Sequence, residues 1–287
     1  MRTLNVIGCG KVGQTLARLF HLHGACEIQD LLGLDLSQTR QAADFIQAGR
    51  AVEALGDMRP ADLWLVTVPD TLIAQVADDL AAALRGGSAE SPAQAVAFHC
   101  SGFLPASALG PLRALGFSLA STHPVLTFAD PASAVSQFNA IPCGLEGDDD
   151  ALESLSLLFE KIGGACFTVQ TERKPLYHAA AVFSNNFTVV LQAIAREAWA
   201  AAGVPEKLAQ EIQGSLLQAT VLNVLRLGPK AITGPAARGD TQVVSSQGAE
   251  VFRWNPDAGV IYMELSRLAH RLALQQSTFP PGPARGA

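Results

Sequence analysis

The sequence predicts an α/β fold, a doubly wound parallel sheet followed by an all-helical C-terminal part, on three observations. First, an apolar run from Leu4 to Ile7 breaks into Gly8-Cys9-Gly10-Lys11-Val12-Gly13, after which Val12, Leu16, Leu19 and Phe20 recur at helical spacing. That is a buried strand entering a helix through a GxGxxG turn. Second, short apolar runs alternate with amphipathic stretches as far as about residue 170, the pace of a parallel sheet. Third, beyond Lys174 the strand signals cease and long breaker-free stretches begin.

Each part of the first stretch has a physical task. Gly8 permits the tight turn, Gly10 lets the backbone approach a pyrophosphate, and Gly13 lets the helix close on the strand. Cys9, Lys11 and Val12 complete a turn whose amides, at a helix start, suit phosphates. A second strand, Ile28 to Leu34, ends at Asp35, 22 residues past Gly13, where a carboxylate reaches adenosine ribose hydroxyls. Ser37 to Gln47 reads as a helix with Ser37 as its N-cap. Arg40 on that helix is suited to a 2'-phosphate. NAD and NADP both remain open as cofactors.

Ala61 to Val68 reads as a buried strand closed by Pro69-Asp70, Thr71 to Leu84 as a helix, Gly86 to Pro92 as a loop, and Ala95 to Phe98 as a strand ending in His99-Cys100-Ser101-Gly102. Ligands on such sheets lie outside the carboxyl ends of the strands, so Val68, Pro69, Ser101 and Gly102 are expected to rim one cleft with the glycine turn. Leu104 to Leu115 reads as a helix, and Ser118 to Ser121 as a strand that delivers Thr122-His123-Pro124. Ile141 to Leu145, Asp148 to Ile162 and Ala165 to Val169 follow as strand, helix and strand. The three aspartates from Asp148 suit the helix dipole and need no metal.

Pro175 suits a first helical turn, and Leu176 to Ala202 then runs as one long helix. Further helices are expected at Glu206 to Leu227, Asp240 to Phe252 and Asp257 to Gln275. The domains expected are 1–170, dinucleotide-binding; 171–276, helical, for substrate and dimerisation; and a disordered Pro- and Gly-rich tail, 277–287. The amount of apolar helix predicts a homodimer through the helical domain.

Composition narrows the function. Net charge is −6 with pI near 5.5, and the 20 Lys and Arg residues form no run, which excludes nucleic acid as the main partner. Five scattered cysteines suit reduced thiols in a cytoplasm, and no CxxC or HxxxH cluster suggests a metal. No leader precedes the first strand and no apolar run nears the roughly 20 residues of a membrane span, so a soluble, cytoplasmic protein is expected.

Lys174, His178 and Asn185 fall at i, i+4 and i+11, along one stripe of the expected long helix. A cation, an imidazole and an amide together can hold a carbonyl or carboxylate and move a proton during hydride transfer. The same residues equally read as a solvated lysine, a satisfied core histidine and a backbone-bonded asparagine. His123, fixed in extended backbone by Pro124, is either a proton donor at a strand end or a structural histidine. Arg238 in Gly234 to Asp240 either binds an acidic group or forms a salt bridge. Two functions fit: an NAD(P)-dependent oxidoreductase acting on a small carbonyl, imine or hydroxy acid, or a non-catalytic dinucleotide-binding sensor or scaffold.

Through GCGKVG, TVPD, FHCSG, THPVLTF, KPLYHAAAVFSNNF and ITGPAARGD the chain resembles the Rossmann-like proteins that carry the domain of unknown function DUF2520. That family is similar in turn to pyrroline-5-carboxylate reductases, prephenate dehydrogenases and β-hydroxyacid dehydrogenases, and is labelled NADP-dependent oxidoreductase with no settled substrate. The resemblance implies a nicotinamide near Ser101 and Gly102, and a helical domain of the 6-phosphogluconate dehydrogenase C-terminal type that often dimerises. Lys174, Tyr177 and His178 are similar to the Lys and His-Asn group of β-hydroxyacid dehydrogenases, with histidine standing where asparagine would be. The proton donor is thereby open between Lys174 and His178. His123-Pro124 is similar to the His-Pro of prephenate dehydrogenases without the glycine that follows there. Asp35 stands where the family places a Ser-Arg-Ser type segment.

Overall fold

The computed structural model describes residues 1–86 and 94–280. The expected loop at Gly86 to Pro92 lies almost wholly outside the described residues, as does the tail from 281 on. Two compact units make up the chain, the first running Met1–Asn186 and the second beginning at Phe187.

In the first unit, β1 (Thr3–Ile7), β2 (Glu27–Leu32), β3 (Arg50–Val52), β4 (Leu63–Val66), β5 (Val96–His99), β6 (Ser118–Pro124), β7 (Ile141–Gly147) and β8 (Gly164–Thr168) form one eight-stranded sheet in the order β3-β2-β1-β4-β5-β6-β7-β8. Between them run α1 (Lys11–Leu22), α2 (Leu36–Ile46), α3 (Ile73–Gly86), α4 (Pro131–Gln137) and α5 (Asp149–Lys161). The short strand β3 and helix α4 are additions to the expected elements, and the helix expected from Leu104 to Leu115 is a 3-10 helix, Ala106–Leu115, with Pro111 inside it. Proline there removes a backbone donor that an α-helix would need.

Two apolar layers sandwich the sheet. On one face Leu16 and Phe20 of α1, Ile46 of α2 and Phe159 of α5 pack together, with Phe159 edge-on to Phe20 at 5.4 Å and to Phe98 at 6.3 Å. On the other, Ile73, Ala77 and Leu80 of α3 meet Trp64, Leu109 and Leu112. This is the doubly wound arrangement expected, with one change of direction. The connection from β6 re-enters the sheet at the end it left, so β7 runs antiparallel to β6 and parallel to β8. The reversal sets Glu146 opposite Ser121 and Gly144 opposite His123.

At the strand-order reversal β1 lies between β2 and β4, the place where such sheets open a crevice. At the edge of the sheet β3 is anchored by the fully buried Asp30 carboxylate of β2, which pairs with Arg50 at 2.9 Å and Arg59 at 2.8 Å. Burial alone would raise the Asp30 pKa, but hydrogen bonds from Arg59 and Arg50 hold it below the usual carboxylate range.

The single helix expected from Leu176 to Ala202 is two. α6 (Lys174–Ser184) ends at Asn185, whose φ of −116° and ψ of −69° interrupt the run, and α7 (Asn186–Ala201) continues beyond. The Ser184 hydroxyl donates to the Ala180 carbonyl at 3.0 Å. Such back-bonding, followed by two asparagines that compete for backbone groups, bends or ends a helix. The division between units accordingly falls after Asn186, beyond the expected boundary at residue 170, and α6 belongs with the sheet.

The second unit holds most of α7, then α8 (Glu206–Leu227), α9 (Pro235–Arg238), α10 (Thr241–Trp254) and α11 (Pro256–Gln275). Asn255 caps α11 by accepting from the Ala258 amide at 3.1 Å. Along α8 only Ala209 is buried, while Leu216, Leu222 and Leu225 are exposed. No described helix is long and apolar enough to cross a membrane.

Candidate active site

The glycine turn is built from contacts that only glycine allows. Gly8 has φ of +101°, and a Cβ on it would lie 2.6 to 2.8 Å from Thr67 and Val68 backbone atoms. The Thr67 hydroxyl donates to the Gly8 carbonyl at 2.6 Å. A Cβ on Gly13 would come within 2.3 Å of the Gly8 oxygen, whereas one on Gly10 would meet nothing within 4 Å. Gly10 is thus spare in the chain's own packing and leaves the start of α1 open to an outside group. Lys11 is exposed and Val12 half-buried there. Burial pushes the Cys9 thiol up to about 12, so Cys9 contributes backbone to the turn rather than a reactive sulfur. These residues fit a dinucleotide's pyrophosphate.

Next to the turn, a Cβ on Gly33 would lie 3.5 Å from the Cys9 Cβ, so the end of β2 abuts it. Asp35, not Ser37, is the N-cap of α2: its Oδ1 accepts from the Gln38 amide at 2.8 Å. Ser37 and Arg40 are exposed further along the same helix. Across the crevice Val68 is half-buried and Pro69 exposed.

Ser101 and Gly102 lie deeper. The Ser101 hydroxyl donates to Asp70 at 2.7 Å and accepts from the Phe103 and Leu104 amides. The buried His99 accepts the Ser101 amide at Nδ1, 3.1 Å away, and faces the Pro105 carbonyl with Nε2 at 3.0 Å, which assigns its proton to Nε2. Gly102 sits beneath two imidazoles, for a Cβ there would lie 2.5 Å from His178 Nδ1 and 3.0 Å from His123.

His123, Tyr177 and His178 form one cluster. The Tyr177 hydroxyl and His123 Nδ1 share a hydrogen bond of 2.8 Å, and the His123 ring stands edge-on to Tyr177 at 5.5 Å and to His178 at 5.4 Å. Burial pushes the His123 pKa down to about 4, with His178 and Lys174 adding to the effect. Burial also pushes the Tyr177 phenol up to about 12. His178 Nδ1 is buried and has no hydrogen-bond partner among the described residues. The three line a cavity of about 510 Å³, together with Asn185 and with apolar walls that include Val125, Leu126, Phe167 and Ala181.

Lys174 is placed otherwise. It is 1% exposed, and its ammonium donates to Ser121 Oγ at 2.6 Å and to the Ser101 carbonyl at 3.2 Å. The Ser121 hydroxyl donates to Glu146 Oε2 at 3.2 Å, and Glu146 also accepts from the Ala106 amide and the Thr171 hydroxyl. Burial pushes the Lys174 pKa down, opposed by Glu146 and Asp70. The expected stripe of Lys174, His178 and Asn185 is therefore divided: His178 and Asn185 line the cavity, Asn185 from the helix break, and Lys174 stands behind Ser101.

Sequence reasoning did not assign Ser121 or Glu146, and it named Tyr177 only through the family resemblance, with no role in proton transfer. A carboxylate inside the otherwise apolar run Ile141 to Gly147 was the available signal, since a buried charge needs a partner. Arg238 pairs with Asp240 at 2.9 Å, both exposed, which is the salt-bridge alternative.

Among solved structures the chain is similar to protein TM1727 from Thermotoga maritima, at 27% identity and a TM-score of 0.71, over 95% of this chain and 99% of that one. It is similar to BF3122 from Bacteroides fragilis at 22% and 0.74, over 94% and 98%. An imine reductase from Myxococcus stipitatus in complex with NADP+ shares the fold at 17% and 0.64, over 96% and 95%. No curated protein matches the chain. Residues 141–269, from β7 into α11, match the family profile described as "Domain of unknown function (DUF2520)". The α/β fold of these relatives and that match agree with the resemblance drawn from the motifs: this is a Rossmann-like chain that carries a DUF2520 domain.

Proposed function

We propose that the protein is an NAD(P)-dependent oxidoreductase acting on a small carbonyl, imine or hydroxy-acid substrate. The observation that carries the reading is the meeting of His123, Tyr177 and His178 at one cavity, in the same unit as a glycine turn whose Gly10 has no packing role of its own. A sensor needs the turn but has no use for several titratable groups at one cavity. The imine reductase that shares the fold adds support, as a protein solved with NADP+.

Gly8 to Gly13 would hold the pyrophosphate and Asp35 the adenosine ribose. When bound, the nicotinamide supplies or accepts a hydride at the substrate carbon. The matching proton is the task of this chain's own residues. With the Nδ1–H tautomer, His123 donates to the Tyr177 oxygen, leaving the phenol proton for the substrate's oxygen or nitrogen and stabilising the phenolate that develops. His178 lines the same cavity. Lys174 positions the Ser101 carbonyl and Ser121 from behind. The exposed apolar residues of α8 form the contact of a homodimer, and a monomer in light scattering at micromolar concentration would count against that part.

The test combines cofactor binding with turnover. Titration of NADH and NADPH by fluorescence should show at least tenfold weaker binding in a folded Gly10→Ala variant, because the added methyl occupies space that only the ligand needs. A screen of ketones, imines and hydroxy acids with both cofactors should then give turnover. Unchanged affinity in Gly10→Ala removes the dinucleotide site, and binding without turnover of any substrate class leaves a sensor.

A further inference from the structure

The cavity that His123, Tyr177 and His178 share also bears on what enters it, given the oxidoreductase reading above. No Lys or Arg stands among the described residues that line it, and Val125, Leu126, Pro142, Phe167 and Ala181 make its walls apolar. Lys174, the cation that the sequence offers to a substrate carboxylate, is 1% exposed and already donates to Ser121 and to the Ser101 carbonyl. Behind it stands the carboxylate of Glu146. His123 is neutral near pH 7, since burial holds its pKa near 4. The described lining of the cavity thus offers an anion neither a lysine nor an arginine, and its polar end holds the Tyr177 hydroxyl and the neutral His123 ring.

We propose that this cavity selects an uncharged, largely apolar carbonyl or imine compound and disfavours substrates that carry a carboxylate or phosphate. An anion taken out of water there would find hydrogen-bond donors but no lysine or arginine to pair with, and desolvation of an unpaired charge is among the largest penalties a binding site can impose. A C=O or C=N group reaching the Tyr177 hydroxyl has no such penalty, and an apolar body gains from contact with Phe167 and Leu126. Within the broader set of carbonyl, imine and hydroxy-acid substrates, the hydroxy and keto acids are the disfavoured members.

Acetophenone and phenylglyoxylate make a matched pair of probes, differing only in a methyl group against a carboxylate. Calorimetric titration of the full chain should show acetophenone binding at least tenfold more tightly. Phe167→Arg, at a partly exposed position on the edge strand β8, should shift the ratio at least tenfold toward phenylglyoxylate, and Val125→Lys should shift it the same way. Equal or tighter binding of phenylglyoxylate by the wild type, binding of neither probe at millimolar concentration, or no shift in both variants overturns the proposal. Selective binding with no turnover of any ketone or imine sinks the oxidoreductase reading and leaves the selection standing. Turnover of both probes with equal kcat/KM does the reverse.

Discussion

Tyr177 Oη lies 2.8 Å from His123 Nδ1, and the contact depends on the reversed direction of β7. That strand sets Gly144 opposite His123, and a Cβ on Gly144 would come within 2.7 Å of the Tyr177 hydroxyl. Removing the hydroxyl deletes the proposed proton donor without opening a large void. Tyr177→Phe should lower kcat about 100-fold, the low end for loss of a general acid, with the Kd for NADH or NADPH changed less than about twofold. Steady-state kinetics and fluorescence titration measure the two quantities. A variant with wild-type kcat would reassign the proton to His178.

His123 gives stability a predictable pH dependence. Its pKa falls from 6.5 to about 4 in the folded chain, so between those values the unfolded chain holds a proton that the folded chain does not. Stability therefore falls as pH drops from about 6.5 toward 4, by up to about 1.4 kcal/mol per pH unit from this group. His99, also pushed down by burial, acts in the same direction. In His123→Gln the His99 contribution persists and the other is gone. Urea unfolding between about pH 7 and pH 5 should give a shallower slope for the variant, and equal slopes would place His123 in water rather than under burial.

The line from Lys174 through Ser121 to Glu146 is a buried polar network, and such networks respond unequally to single and double changes. Lys174→Met leaves Ser121 Oγ and the Ser101 carbonyl short of a donor and takes away the cation that faces the Glu146 carboxylate, and should cost about 3 kcal/mol. Adding Glu146→Gln removes the stranded charge and should recover at least about 1 kcal/mol. Strict additivity in urea unfolding would mean that the groups do not act together.

Whatever depended on neighbours in sequence was legible before the fold was known. The turn at Gly8 to Gly13, the strands feeding Val68, His99 and His123, and the four long helices each announce themselves through periodicity or a breaker. What stayed hidden depends on residues far apart. The three residues of β3 carry too little pattern, and their anchor is Asp30 meeting Arg50 and Arg59. The direction of β7 follows from where the chain re-enters the sheet, so the pairing of Glu146 with Ser121 has no local mark. The break at Asn185 had a sign in Ser184-Asn185-Asn186, but a run of apolar helix formers on both sides outweighed it. Lys174 was marked as chemically important, yet only its burial behind Ser101 shows that it faces the network rather than the cavity.

In the proposed cofactor site Asp35 would carry the choice between NADH and NADPH, and the cap it makes decides which substitution tests that choice. Its Oδ1 accepts from the Gln38 amide, its carbonyl accepts from the Thr39 hydroxyl at 2.7 Å, and that hydroxyl in turn accepts from the Gly33 amide at 3.0 Å. The carboxylate is therefore held over the start of α2, and the other two bonds fix the backbone between β2 and that helix. Held there, it can accept from ribose hydroxyls, and at about 4 Å it repels a 2'-phosphate by about 4 kcal/mol at an effective dielectric near 20. Wild type should bind NADH more tightly than NADPH. Asp35→Ala would lose the helix cap along with the charge, at a cost of about 1 kcal/mol, whereas serine keeps the cap. Asp35→Ser should accordingly fold as wild type and shift the ratio of dissociation constants at least tenfold toward NADPH. Arg40, exposed on α2, would then be free to pair with the phosphate, so adding Arg40→Ala should take back most of the gain. Fluorescence titration of both reduced cofactors against the three proteins decides the matter. If wild type already prefers NADPH and Asp35→Ser leaves the ratio unchanged, Asp35 is a helix cap alone and Arg40 defines the cofactor.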